Sequence, residues 1–342
     1  MKPLIRRRHT DHQDLLLYQN TITKSKKTIF RDKCKAWIMV FCICIMVPYI
    51  ISVFWGDRDK EEQGSILSEE ADSRIRVEII LPGGRIRLSM EEYLVGQLAN
   101  VALPEYEMEM LKAQAILLRS TLIKKYRDAM LQTERSLKYY TVSSDEYLTI
   151  EQRQALWGEQ FTAYDSRCKE AVNATQGIYL TYQEVPIEGI YCRVSAGMTR
   201  SATDLPGLAL PYLQTADCPK DYLCEEYITE ITITNSKAQA LLGGRLGMCK
   251  TDKAGYCVEA LIHPDEGEVI RESGEWLRIQ LGLPSANFTL LHEDNTMRFV
   301  CKGQGHGFGL SQFAANELAK DGGTYEDILR YFLSEIEFDK YE

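Results

Sequence analysis

The segment 36–55, AWIMVFCICIMVPYIISVFW, limits what this chain can fold into more than any other stretch. It contains no Asp, Glu, Lys, Arg or His. As a helix it would extend roughly 30 Å, about the thickness of the hydrocarbon core of a bilayer. An uncharged segment of this length predicts a transmembrane helix rather than a buried core helix.

The residues on the N-terminal side of this segment are strongly basic. Residues 1–35 contain ten Lys or Arg residues and three Asp residues, a net charge of +7. By the positive-inside rule, this tail is predicted to be cytoplasmic. No small-residue cleavage site of the A-x-A kind follows the apolar segment, which is also too long for a signal peptide. We therefore expect a single-pass anchor in the cell membrane, with residues 56–342 extracytoplasmic.

The charge and cysteine content of the outer part narrow its function. The whole chain carries −9 and the tail +7, which leaves about −16 outside. Nucleic acid is therefore not an expected partner, because binding phosphates needs a basic surface. The outer part has an odd number of cysteines, so disulfides within one chain cannot pair them all. They are Cys168, Cys192, Cys218, Cys224, Cys249, Cys257 and Cys301. Cys249 and Cys257 are close enough in sequence to pair across a loop.

Composition and periodicity divide the outer part into a linker and one domain. Residues 56–75 are rich in charge and poor in large apolar groups, as in a solvated linker. The domain at 76–340 opens with RVEIILPGGRIRLSM, which predicts two short strands around a turn. Ser89 is placed to cap a following helix, and a longer amphipathic helix is predicted after Pro104, with Arg119 on its solvated face. Together these signals predict an α+β fold with two lobes and a substrate cleft between them.

Four segments of this domain resemble, in order, the motifs of one family. They are LSMEEYLVGQLANVALPEYEMEMLKAQAILLRS (88–120), YCRVSAGMTRSATDL with PYLQTADCPKD (191–221), GEWLRIQLGLPSANFTL (274–290) and GQGHGFGLSQFAANELAKDGGTYEDILRYF (303–332). This set is similar to the stage II sporulation protein D and amidase-enhancer family. The resemblance implies a membrane-anchored protein that binds glycan strands of peptidoglycan during engulfment of the forespore. It also implies two kinds of protein partner, a cell-wall amidase and other engulfment membrane proteins. Active members are lytic transglycosylases that cleave strands after an amidase has removed the stem peptides.

The sequence departs from the family at the catalytic acid. Such an enzyme needs a carboxylic acid that protonates the leaving oxygen and then assists attack by the C6 hydroxyl. In the family this acid is a Glu five residues after the glycine of the YL-x-G motif, and the equivalent residue here is Val101. Valine cannot transfer a proton. Glu105, just after Pro104, is a candidate substitute if its loop reaches the cleft, and the alternative is an ordinary solvated residue at the start of a helix.

The central motif raises the question of a metal. The resemblance implies that some members hold zinc with a His before S-A-G and a downstream Cys before Pro. The matching residues here are Cys192 and Cys218. Two thiolates suit zinc, and two thiols outside a membrane equally suit a disulfide, so zinc, a disulfide and unmodified thiols all stay open.

The glycine-rich segment supplies the remaining candidates for substrate binding. Its alternating glycines, Gly305 and Gly307 among them, allow close approach of a backbone to a ligand, and Ser311 and Gln312 offer hydrogen bonds to glycan hydroxyls. His306 is predicted to position the substrate or the acid loop. The alternative is that His306 packs inside the motif and bonds a backbone carbonyl.

Around S-A-G, small and polar residues complete the predicted cleft. Ser195, Gly197 and Thr199 are candidates for its lining. Arg200 has two possible partners, a muramic carboxylate and a structural Asp of this chain such as Asp204.

Three functions follow from these patterns. The first is a peptidoglycan-binding scaffold or amidase enhancer that has lost transglycosylase activity, as Val101 favours. The second is an active lytic transglycosylase that uses a displaced acid such as Glu105. The third is a structural membrane module whose motifs serve only folding.

Overall fold

The computed structural model describes residues 75–81, 83–133, 137–205, 207, 208 and 210–341. Helices and strands both contribute heavily in this part of the chain, so the predicted α+β class is confirmed. The α-helices are α1 (Met90–Val101), α2 (Met108–Thr133), α3 (Ile150–Trp157), α4 (Phe161–Ala174), α5 (Asn235–Leu242), α6 (Gly274–Leu281), α7 (Gln312–Lys320) and α8 (Tyr325–Phe332).

The strands are short and are distributed over several small sheets. They are β1 (Arg76–Leu81), β2 (Gly84–Ser89), β3 (Tyr140–Val142), β4 (Ile178–Tyr182), β5 (Val185–Pro186), β6 (Tyr191–Cys192), β7 (Ile228–Thr234), β8 (Arg245–Thr251), β9 (Cys257–His263), β10 (Ile270–Glu272), β11 (Phe288–Glu293), β12 (Thr296–Lys302), β13 (Leu310–Ser311) and β14 (Glu337–Lys340). The sheet orders are β2-β1-β3, β10-β9-β8, β11-β12-β7, β13-β6 and β14-β4-β5.

The start of the domain follows the local sequence signals. Strands β1 and β2 form the predicted antiparallel hairpin, with Arg76 opposite Ser89. Ser89 caps α1 as predicted, because its side chain accepts the Glu92 N–H while the Glu92 carboxylate accepts the Ser89 N–H. This reciprocal pair satisfies two N–H groups that a helix start leaves without intrahelical partners.

Helix α2 is the long helix predicted after Pro104, but one of its faces was misassigned. Arg119 is not solvated: its side chain is fully buried, and its Nε and Nη2 donate to the two carboxylate oxygens of Glu91 at 2.8 and 2.5 Å. Arg119 also donates to the carbonyls of Val172 and Ile178. The bidentate ion pair and the further carbonyl acceptors allow this guanidinium to be buried between α1, α2 and β4.

Apolar side chains gather in two core clusters. The larger cluster surrounds α1 and α2 and includes Leu94, Leu117 and Phe308. The smaller one lies between β7–β9, β12, α5 and α6 and includes Leu277 and Phe299. The motif segments join the two clusters, since Phe308 belongs to the first and Leu283 to the second.

The predicted membrane anchor concerns a different part of the chain. Within the described ranges, no helix combines the length and apolar character needed to cross a membrane. The basic tail 1–35, the predicted span 36–55 and the linker up to residue 74 all lie outside those ranges. The anchor and the boundaries of these segments therefore stay predictions.

Candidate functional site

Backbone contacts bring the four motif segments together at the glycine-rich loop, residues 303–309. Gln304 and Val194 exchange backbone hydrogen bonds, with Gln304 N–H to Val194 O at 2.7 Å. Gly305 N–H donates to Pro284 O at 2.9 Å. At the start of α7, the Gln312 side chain donates to Val101 O at 3.0 Å. The glycine-rich loop and the start of α7 together thus contact the other three segments that carry the family resemblance.

The glycines of this loop allow close packing against the protein itself. At Gly307, with φ +80°, an added Cβ would lie 2.4 Å from the Tyr256 ring, and at Gly309, with φ +70°, it would lie 2.0 Å from Ile190 O. Any side chain at these two positions would clash with its neighbours. The sequence pattern had indicated close approach to a ligand. The described contacts of Gly307 and Gly309 are instead with Tyr256 and Ile190.

His306 is enclosed within the loop. Its side chain is 2% exposed, and Nδ1 accepts the Phe308 N–H at 3.0 Å. An acceptor at Nδ1 means that a neutral ring carries its proton on Nε2. The packed alternative predicted a bond to a backbone carbonyl, whereas this bond comes from a backbone amide. In this position His306 orders the turn from Gly305 to Gly309.

Arg200 lies at the centre of the junction between the two cores. Its side chain is fully buried, and Nε donates to Asp252 at 2.6 Å. The guanidinium carbon lies 4.3 Å from the Phe308 ring centroid and 4.9 Å from that of Tyr256. It also donates to His306 O. Of the two kinds of partner considered for Arg200, the structure supplies a structural carboxylate, but it comes from Asp252, which the sequence analysis did not name.

Asp221 is a central residue of the site that the sequence analysis quoted within a motif without assigning it a role. Its carboxylate accepts the Ser195 N–H at 2.8 Å, the Ser195 hydroxyl at 2.6 Å and the Ser311 hydroxyl at 3.0 Å. Burial raises the pKa of Asp221, and the hydrogen bonds from Ser195 and Ser311 partly offset that rise. The carboxylate therefore joins the S-A-G segment to the start of α7. The one available sequence signal was that Asp221 ends the segment CPKD, residues 218–221.

The other predicted polar contacts also point inward. Thr199 Oγ1 accepts the Ala216 N–H at 2.8 Å. The Gln312 amide donates to Gln114 Oε1 as well as to Val101 O. Ser195, Thr199, Ser311 and Gln312 are all buried, whereas Gly305 is partly exposed. The four buried side chains thus hold the loops in place. Contacts with a ligand at the surface are left to partly exposed neighbours such as Gln304.

Glu105 and Val101 occupy different environments near α1. Val101 is half-buried at the C-terminal end of α1. Glu105 is exposed, and its carboxylate accepts the Tyr164 hydroxyl at 2.8 Å. The neighbouring backbone is fixed by Arg167, which donates to Pro104 O and Tyr106 O. Movement of Glu105 into a cleft would have to break its bond with Tyr164.

Cys192 and Cys218 are both buried, and no disulfide joins cysteines in the described ranges. Cys218 donates to Ala216 O at 3.6 Å. Burial raises the pKa of Cys218 to about 12, and the nearby Asp221 adds to this. Because zinc takes a thiolate, zinc binding would require this buried thiol to lose its proton. In the described part of the chain, no group of three or more His, Cys, Asp or Glu residues is arranged to hold a metal.

A separate pocket opens away from these residues. It has a volume of about 100 Å³ and lies between α1, α2 and β3, where Tyr93, Gln97, Lys125 and Glu146 line it. None of the predicted site residues contributes to it. It is therefore not part of the motif junction.

The fold and the junction define an α+β protein in which separate motif segments meet at one glycine-rich loop. Comparison with known proteins agrees with this. A family model described as Stage II sporulation protein matches residues 85–182. The Bacillus subtilis Stage II sporulation protein D is 30% identical over 253 residues, which cover 72% of this chain and 73% of that protein.

Two further relatives extend the comparison. The Bacillus amyloliquefaciens Stage II sporulation protein D is 29% identical, covering 73% of this chain and 74% of its own. An uncharacterized protein of Brachyspira hyodysenteriae is 24% identical, covering 74% and 67%. The chain belongs to the stage II sporulation protein D family, and this membership supports a cell-wall role in sporulation.

Proposed function

We propose that this protein binds glycan strands of peptidoglycan at the cell membrane and acts as a scaffold or amidase enhancer rather than as a transglycosylase. The observation that carries this proposal is Val101 at the position of the family's catalytic acid. The Gln312 side chain binds the Val101 carbonyl, so this residue belongs to the motif junction. A valine there leaves the junction without the group that would protonate the leaving oxygen.

Retention of the rest of the junction supports a binding role. Asp221 holds Ser195 and Ser311, and Arg200 is paired with Asp252. Ordering these groups costs conformational entropy. Folding stability alone does not require Gly305 to remain partly exposed next to them. We assign direct glycan contact to the partly exposed rim, which includes Gln304, Gly305 and Phe313. The other candidate residues then position that rim. They are Ser195, Thr199, Arg200, His306, Gly307, Ser311 and Gln312.

A second candidate is an active enzyme that uses Glu105. The observation that favours it is the exposed carboxylate on the loop after Val101, with Tyr164 as a neighbouring hydroxyl. In this mechanism Glu105 leaves Tyr164, protonates the leaving oxygen and then accepts the proton of the attacking C6 hydroxyl. The proton balance is closed, since the acid is restored at the end of the cycle.

One experiment separates these functions. The full-length chain in detergent is incubated with amidase-treated glycan strands, followed by sedimentation with the strands and mass spectrometry for anhydro-muramic ends. We expect co-sedimentation and no such ends. Ends that appear with wild-type protein and disappear with Glu105→Gln would establish the displaced-acid enzyme instead. Absence of co-sedimentation would support the third function, a structural module.

The membrane anchor at 36–55 and the protein partners belong to the same proposal. A scaffold fixed at the membrane presents glycan to a cell-wall amidase and to other engulfment membrane proteins. The expected result is a faster amidase reaction on intact peptidoglycan when the full-length chain is added. A chain that fractionates away from membranes in cells would contradict the anchored arrangement.

Zinc at Cys192 and Cys218 is a proposal that rests on the resemblance. If the ion is bound, these two sulfurs would hold it near the S-A-G segment, where zinc could polarise a substrate oxygen. Metal analysis of the purified chain tests it: about one zinc per chain that is lost in Cys218→Ser would support the site. Trace zinc that is equally present in Cys218→Ser would rule out the zinc site.

A further inference from the structure

Cys249 and Cys257 are neighbouring cysteines at the base of the β8–β9 hairpin. Cys257 lies opposite Thr251 in the antiparallel register, and Cys249 is two residues before Thr251 on the same strand. Cys249 and Thr251 share one face of β8 because side chains alternate, and the register shift after Lys250 leaves Cys257 a diagonal neighbour of Cys249. Cys257 is buried in the second core, Cys249 packs against that core, and the Cys257 thiol donates to Glu259 O at 3.5 Å.

The hairpin loop that these cysteines flank, residues 252–256, supports the motif junction. Asp252 forms the buried ion pair with Arg200. The Tyr256 hydroxyl accepts the Ala196 N–H at 2.9 Å, and the Tyr256 ring packs against Gly307. The loop therefore contacts both the S-A-G segment and the glycine-rich loop.

We propose that Cys249 and Cys257 form a reversible disulfide that closes the base of this loop and thereby restrains Asp252 and Tyr256 beneath the glycine-rich loop. A disulfide needs the two sulfurs about 2.05 Å apart and the Cα atoms within roughly 7 Å. Diagonal neighbours on adjacent strands are about 7–8 Å apart, so a local adjustment of the irregular hairpin backbone brings the two cysteines into that range. Register shifts between Leu246 and Cys249 and between Lys250 and Thr251 give the hairpin an irregular backbone on both sides of Cys249.

The reaction with a small disulfide such as oxidised glutathione is balanced. The Cys249 thiolate attacks one sulfur of the reagent, and one glutathione thiolate leaves. The Cys257 thiolate then attacks the Cys249 sulfur of the mixed disulfide, and the second glutathione leaves. The protein loses two S–H bonds and gains one S–S bond, while the reagent becomes two thiols. Cys249 suits the first attack because it is the more exposed of the two.

The biological setting of this bond rests on the proposed orientation, because disulfides persist outside the cytoplasm. The chemistry of the pair does not depend on glycan binding. Failure of the proposed glycan function and failure of the disulfide are therefore separate results.

The test uses the full-length chain in detergent, equilibrated with oxidised glutathione, alkylated and digested with trypsin. We expect peptides 246–250 and 254–271 to be recovered as one linked species that separates on reduction. The oxidised chain should melt roughly 5 °C above the reduced chain, since the bond closes a short loop. In Cys249→Ser this redox-dependent shift should vanish, while Cys301→Ser should retain it.

The outcomes are clear even if a variant folds poorly, because the linked peptides come from the wild-type chain. Full alkylation of both cysteines after oxidation would overturn the proposal. So would glutathione retained on Cys249, or a bond from Cys249 to a different cysteine.

Discussion

Val101 ends helix α1 with a side chain that is half-buried and a carbonyl that Gln312 binds. We predict that Val101→Glu produces anhydro-muramic ends from peptide-free strands at least roughly 10-fold above wild type. General acid catalysis contributes about 10²–10⁴-fold in enzymes, and a side chain inserted into an unadapted site should recover part of that. Val101→Gln is the matched control, since it has the same shape and no transferable proton. If both variants fold and bind glycan but neither produces anhydro-muramic ends, then more than the acid has been lost.

Single residues also mark the limit of what the sequence could predict. Capping by Ser89 was predictable because its partner, Glu92, lies three residues away. Arg119 was misassigned because its partner, Glu91, lies 28 positions away and only the packing of α1 on α2 brings it close. Asp221 was given no role for the same reason, since its partner Ser311 is 90 residues further on.

At the scale of elements, Glu109 ties the start of α2 to the start of α8. Its carboxylate accepts from Lys112 at 2.6 Å and from the Tyr325 N–H at 2.9 Å. Burial opposes its ionisation, but the bonds from Lys112 and Tyr325 outweigh this and lower the pKa of Glu109. The folded state therefore prefers the carboxylate, so its contribution is present above the unfolded pKa and is lost as pH falls through the folded one.

Glu109→Gln should consequently lower the free energy of unfolding by about 1 kcal/mol at pH 7, the size expected for a helix-start carboxylate with an ion pair. The difference from wild type should shrink as the pH falls below about 4.5. Urea unfolding at several pH values measures it. Glu170→Gln, on an exposed part of α4, serves as the control and should change stability little at any pH. A difference that persists unchanged at low pH would show that the carboxylate charge is not the cause.

Elements were more predictable than their arrangement. The β1–β2 hairpin, helix α2 and the strand at 228–234 all carry local turn, capping or alternation signals. Strands β6 and β13 have two residues each and pair in parallel, with Ser311 opposite Cys192. Such short strands exist only because distant segments meet, so a single-sequence pattern does not predict them.

For the whole molecule, the important question is how the two cores are coupled. The buried Arg200–Asp252 pair joins the S-A-G segment to the β8–β9 hairpin of the second core, with the Phe308 ring of the first core beside it. Removal of one partner leaves the other charge buried, which costs about 3–5 kcal/mol. We therefore predict that Asp252→Asn destabilises the chain by about 3 kcal/mol and separates the unfolding of the two cores.

Hydrogen exchange followed by mass spectrometry measures this at the level of each core. In the wild-type chain, peptides around Leu117 and around Leu277 should share one opening free energy, because the junction couples them. In Asp252→Asn, the Leu277 region should open at a lower free energy. The control is Arg271→Ala, which removes an exposed ion pair with Glu259 in the same sheet and should change stability by less than about 1 kcal/mol. If both variants behave alike, the buried pair contributes no more than a surface one, and the coupling of the cores must come from the packing of Tyr256 against Gly307 instead.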